Sequence, residues 1–138
     1  MTDPSPAAAG AAAPEADDES RPLWDALSAH RVVVQECRAC SRRRLERMPT
    51  CPWCGSGKYR DIEVAGTGVV YSWVRAHRAL RPGAAEDDLP YAIATVDLDG
   101  GGRVFGRLEP PDAAAIGLAV GPRFVDHPGW TELRFSAR

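Results

Sequence analysis

All four cysteines of this chain fall within eighteen residues, as two Cys-x-x-Cys pairs, Cys37/Cys40 and Cys51/Cys54, with ten residues between them. No other feature restricts the fold as much. A Cys-x-x-Cys pair places two sulfurs on one tight turn, and two such turns let four soft ligands converge on one tetrahedral ion. Zinc and iron both suit four thiolates. In a reducing cytoplasm such pairs serve as ligands rather than disulfides.

The flanks of the pairs say how the turns are held. "RVVVQECRAC" is a β-branched strand running into the first turn, and "CPWCGSGKYRDIEV" is the second turn running out into another strand. Two short strands carrying a knuckle each make a zinc ribbon. The residue after the second cysteine of a knuckle needs positive φ for its amides to face sulfur. Gly55 adopts it at no steric cost, whereas Ser41 does not, so the first knuckle is expected to be the less regular one. Four thiolates on one ion leave no open coordination position, which makes the site structural. In a small ribbon such binding supplies on the order of 10 kcal/mol of folding free energy.

Charge singles out the same segment. The chain is −2 overall, but residues 1–20 sum to −5, residues 21–30 to zero, residues 31–60 to +6 and residues 61–138 to −3. Arg42, Arg43, Arg44 and Arg47 lie between the two knuckles. They are either a solvated basic face or a contact for phosphates or an acidic protein patch. The first twenty residues hold Ala, Pro, Gly, Ser and acids, too little apolar surface to offset ordering entropy, and read as a disordered tail. They lack the basic start and apolar stretch of a secretory signal, and no apolar run approaches the ~20 residues of a spanning helix. A cytoplasmic, non-membrane protein is expected.

"SRPLWDALSAHR" follows the tail. Ser20 is expected to cap, Pro22 suits a first helical turn, and Leu23, Trp24 and Leu27 share one face, so this short helix docks on the chain's own core or on a partner. From Asp61 onward the pattern is strands. "VAGTGVVYSWVRAH" is long, with Gly66 and Gly68 where a coiled strand bends. "YAIATVDLDGGGRVFGRLE" is a hairpin about Gly100–Gly102, and "LAVGPRFVDHPGWTELRFSA" a hairpin about Pro128–Gly129, with the helix-tolerant "PPDAAAIG" between them. A mostly β chain is expected: a disordered tail over 1–20, an N-terminal helix and rubredoxin-like zinc ribbon over 21–60, and a five-stranded OB-fold barrel over 61–138.

Taken in order, "LWDAL", "VVVQECRAC", "CPWCGS", "GTGVVYSW", "PYAIATVDLDGGGRVFGRLE" and "IGLAVGPRFVD" resemble the zinc-ribbon plus OB-fold proteins called the domain of unknown function 35 family, from Pro22 to the C-terminus. The resemblance implies an accessory role in acyl-CoA chemistry. Such proteins are small subunits or appended domains of thiolase-like or hotdog-fold enzymes, including aldolases of steroid side-chain breakdown, and the partner holds the catalytic residues. It favours one structural zinc per chain over redox iron. It also implies that Arg42, Arg43, Arg44 and Arg47 meet an acidic patch of the enzyme or the phosphates of its CoA.

The residues are consistent with a non-catalytic chain. His30, His77 and His127 are isolated at the ends of expected elements, and no Ser/His/Asp or Cys/His order suggests a nucleophile. Glu86, Asp87 and Asp88 read as a solvated loop, and "DGGGR" as a hairpin turn without the features of a phosphate loop. Two other functions stay open: a single-stranded nucleic-acid module and a rubredoxin-like electron carrier. Tyr71, Trp73 and Phe105 would stack bases in the first, or pack in the core if the chain is neither. The net charge of −3 on residues 61–138 disfavours a polyanion.

Overall fold

A computed structural model describes residues 13–78 and 89–138. The expected acidic loop of Glu86, Asp87 and Asp88 lies outside these residues. Helix α1 (Arg21–Ser28) comes first, with Pro22 in its opening turn. Ser20 stands at the N-cap, but its side chain does not cap the helix. Its hydroxyl instead accepts from the Asp17 amide (3.0 Å), while its own amide donates to the Asp17 carboxylate (2.7 Å). The serine therefore closes the preceding turn. The helix docks on the chain itself: Ala26 and Leu27 are buried, and Trp24 meets Trp130 edge to face at 6.2 Å.

Three antiparallel strands follow as a small sheet in the order β2-β1-β3: β1 (Val32–Cys37), β2 (Arg43–Arg44) and β3 (Tyr59–Val64). β1 is central and buried along its whole length. β3 carries this sheet past the boundary expected after Arg60, because Val32 pairs with Val64.

The remaining strands, β4 (Gly68–Ala76), β5 (Tyr91–Leu98), β6 (Arg103–Glu109), β7 (Ala119–His127) and β8 (Trp130–Ala137), close a barrel in the order β4-β5-β6-β8-β7. A parallel pairing of β6 with β8, Leu108 opposite Phe135, and the pairing of Gly68 with Val120 seal it. A short 3-10 turn (Pro111–Ala113) sits between the third and fourth barrel strands. This is the OB-fold arrangement that the strand order predicts. β5 alternates strictly between half-buried and buried residues, and sends Ala92, Ala94, Val96 and Leu98 inward. Phe135 and Leu108, among the largest fully buried side chains, each contribute roughly 1.5–3 kcal/mol through burial. Leu27, Val32, Val34 and Leu45 join the same apolar cluster, so ribbon and barrel share one core.

Candidate metal centre and the surface around it

The two knuckles repeat one hydrogen-bond pattern. The Cys37 amide donates to the Arg42 carbonyl (2.9 Å) and the Cys51 amide to the Ser56 carbonyl (2.8 Å). The Ser41 amide donates to the Cys37 carbonyl (2.9 Å) and the Gly55 amide to the Cys51 carbonyl (2.8 Å). Ser41 adopts φ 64° and Gly55 φ 78°. The first knuckle is thus as regular as the second, contrary to the sequence expectation, and Ser41 bears the left-handed strain.

The four sulfurs converge. All lie within 4.8 Å of one another, and Cys37 faces Cys54, and Cys40 faces Cys51, at 3.6 Å each. A metal–sulfur bond of about 2.3 Å in a tetrahedron requires sulfurs about 3.8 Å apart, so the tetrad fits one metal ion. Local electrostatics favour shedding protons. Burial alone would raise Cys51, but the amides of Cys54 and Trp53 outweigh it and bring this thiol down to about 6. Cys37 is lowered chiefly by the Cys40 amide. Cys54 accepts from the Ser56 amide, yet the sulfurs beside it, Cys37 first, hold its proton up to about 11. Bringing all four thiols together as thiolates therefore requires a cation among them.

The four arginines do not share one surface. Arg42 is exposed, with its guanidinium 5.2 Å from the Trp53 ring. Arg43 donates to Glu36 (2.8 Å) and to the Gly100 carbonyl (3.2 Å). Arg44 is buried, donates to the Met48 carbonyl and stands over Tyr59. Arg47 pairs with Asp61 at 2.6 Å, its side chain 3% exposed, and reaches the Glu19 carbonyl. Arg44 and Arg47 are thus occupied inside the fold, and Arg42 and Arg43 lie at the surface. Glu36, buried at the middle of the ribbon sheet, collects Arg43 and Arg60, and their hydrogen bonds hold its carboxyl below the usual range.

Two of the histidines are not isolated. His30 bonds Asp126 at 3.0 Å and stacks on Phe124, which fastens the end of α1 to β7. His127 bonds Glu132 at 2.9 Å and stacks on Trp130. His77 is exposed.

The aromatic residues divide as well. Trp73 packs against the core, but Tyr71 and Phe105 are 54% and 65% exposed on the barrel's outer face. Tyr71 and Phe105 follow the alternation of their strands outward, and a bulge in β4 parts Tyr71 from Trp73: pairing shifts between Val70 and Ser72, so that Trp73 lies opposite buried Ala94. Trp53, which sequence reading passed over, is 51% exposed. Its position inside "CPWC", on a turn with no room for a core contact, was the available signal.

Comparison with known proteins places this architecture. The family model for the C-terminal OB-fold domain of ChsH2 matches residues 61–125. In the solved Ltp2-ChsH2(DUF35) aldolase, one chain is 33% identical, with a TM-score of 0.77 over 91% of this chain and 98% of that one. The chain belongs to the DUF35 family. A DUF35 domain-containing scaffold protein of Methanocaldococcus jannaschii is 30% identical over 92 residues, 64% of each chain. A probable enoyl-CoA hydratase alpha subunit of Thermomonospora curvata is 38% identical over 99 residues, covering 70% of this chain. This DUF35 chain spans 30% of that relative's length. Among the described residues no helix is long and apolar enough to cross a membrane.

Proposed function

We propose that this chain is a non-catalytic accessory subunit, cytoplasmic, that binds and supports a thiolase-like or hotdog-fold enzyme acting on acyl-CoA esters, in lipid or steroid side-chain metabolism. One observation carries the reading: the likeness to the Ltp2-ChsH2(DUF35) aldolase spans nearly the whole of that chain. The name of that assembly sets a DUF35 module beside a second protein. The name of the archaeal relative, a scaffold protein, agrees with a supporting role.

The four thiols carry one structural zinc. Cys37, Cys40, Cys51 and Cys54 are its ligands, and the ion fixes the two knuckles against each other. With all four thiolates on the metal, none is left to act as a nucleophile. Of the four arginines, exposed Arg42, and at its side Arg43 although it is bonded to Glu36, are placed to meet the partner or the phosphates of its CoA, while Arg44 and Arg47 hold the ribbon together.

Co-expression with a thiolase-like enzyme of the same organism tests this. A complex that survives gel filtration, no turnover of acyl-CoA esters by the isolated chain, and about one zinc per chain are expected. Turnover by the chain alone, or failure to bind the enzyme together with tight oligonucleotide binding at physiological salt, overturns the reading. Stoichiometric redox-active iron would make it an electron carrier instead.

A further inference from the structure

The outer face of β4, β5 and β6 is unusually apolar for a solvated sheet. Register sets Val74 beside Ile93 and Thr95 beside Phe105, and the bulge in β4 brings Val74 onto the same outer face as Tyr71. Tyr71, Val74 and Phe105 are each more than half exposed. At the edge of this face a hollow of about 500 Å³ opens between the second knuckle and the barrel, walled by Trp53 and Phe105 with Met48, Pro52 and Leu98. Exposed aromatic residues around a hollow that admits one side chain have the composition of an interface anchor site.

The charges choose among occupants. On the sheet face Arg103 is neutralised by Asp97 (2.6 Å) while lying over Tyr71, and Arg75 is paired with Asp112. Such a face has little excess charge with which to hold a phosphate backbone. Around the hollow the balance differs. Arg43 and Arg60 share the single carboxylate of Glu36, and exposed Arg42 has no acidic partner among the described residues. Glu46 is the one lining acid besides the Asp97 already paired with Arg103. The rim is therefore positive. A second copy seated there would bring the same positive rim, and only where the twofold axis ran through it would Arg42 and Arg43 be forced against their own counterparts.

We propose that this face and hollow are where the partner enzyme docks, through a surface that inserts an apolar side chain between Trp53 and Phe105 and sets acidic groups against Arg42 and Arg43. The assignment rests on the accessory-subunit reading and names its contact face. Electrostatic complementarity at such a rim sets the rate and orientation of encounter, while the buried anchor sets the lifetime of the complex.

The test compares wild type, Phe105→Glu, Trp53→Ala and Arg42→Glu, each metal-loaded, for binding to the thiolase-like enzyme of the same organism that the co-expression test identifies, by calorimetry and gel filtration. Phe105→Glu is expected to raise Kd roughly 30-fold or more, and Trp53→Ala and Arg42→Glu about tenfold. Far-UV circular dichroism and zinc content should match wild type, because these side chains are exposed. If wild type binds the enzyme and Phe105→Glu and Trp53→Ala bind it equally well, the docking face is wrong while the accessory reading stands. If wild type does not bind the enzyme, both fall. Should Phe105→Glu instead abolish self-association or oligonucleotide binding and spare the enzyme complex, the face belongs to that other ligand and the proposal is overturned.

Discussion

Ser41 and Gly55 occupy the same position of two turns closed by the same hydrogen bonds, with similar φ, 64° and 78°, although only one of them is a glycine. A left-handed conformation costs a residue with a Cβ about 1–2 kcal/mol. Ser41→Gly removes that cost and gives back part of it through the freer unfolded chain. A net stabilisation of about 0.5–1 kcal/mol is expected, read from urea unfolding of the metal-loaded protein. A destabilised variant would show that the serine makes a compensating contact.

Removing the metal should unfold the ribbon. Cys54 is the exposed member of the tetrad, so Cys54→Ser changes little besides ligation. With zinc as the proposed ion, loss of much of the ~10 kcal/mol typical of a structural site leaves a ribbon too small to hold its own turns. Lower zinc content, lower soluble yield and a lower Tm are expected, with a chelator producing the same Tm shift in wild type. A variant that folds and assembles normally but yields a chemically dead complex would show that the cysteine does more than hold structure.

Acid should weaken the fold through Glu36. Its hydrogen bonds from Arg43 and Arg60 depress the folded pKa, so its contribution is fully present above the unfolded carboxylate value, roughly 4.3, and is lost as pH falls through the folded value. Asp126, lowered first by His30, acts with the same sign. Glu132 does too, since its bonds from Arg134 and His127 outweigh its burial. The urea midpoint of wild type should fall below about pH 4.5. Glu36→Gln should start lower at pH 7 and fall less steeply. Parallel pH profiles for the two proteins would remove Glu36 from the account.

Gly68 sits where β4 meets both of its neighbours, opposite Leu98 and Val120. A Cβ there would approach the Asp97 carbonyl oxygen to 2.3 Å and Val96 to 2.8 Å. Backbone cannot yield as a side chain can. Gly68→Ala is expected to cost about 1–3 kcal/mol or more, whereas Gly121→Ala, whose nearest neighbour would be the Arg138 side chain at 3.5 Å, should stay within about 0.5 kcal/mol. Equal melting temperatures for the two variants would contradict the close packing at the seam.

Much of this protein was decided by local chemistry that the sequence displays. Two Cys-x-x-Cys turns between β-branched strands can hardly avoid bringing four sulfurs together, because each turn is closed by bonds between residues four and five apart. The alternation of β5 and the glycine turn after it define a hairpin for the same short-range reason. Charge partners are a different matter. Arg42, Arg43, Arg44 and Arg47 look alike in sequence, yet their fates depend on acids and carbonyls brought near by folding: Glu36 gathers Arg43 from seven residues away and Arg60 from twenty-four. The parting of Tyr71 from Trp73 was equally hidden, since one extra residue in β4 reverses the strand's alternation between them and nothing in the local composition marks it. His30 and Asp126, ninety-six residues apart, meet only once the barrel has closed beneath the helix. The metal tetrad follows from neighbours along the chain, whereas the surface left over for a partner follows from which side chains the closed barrel has already engaged.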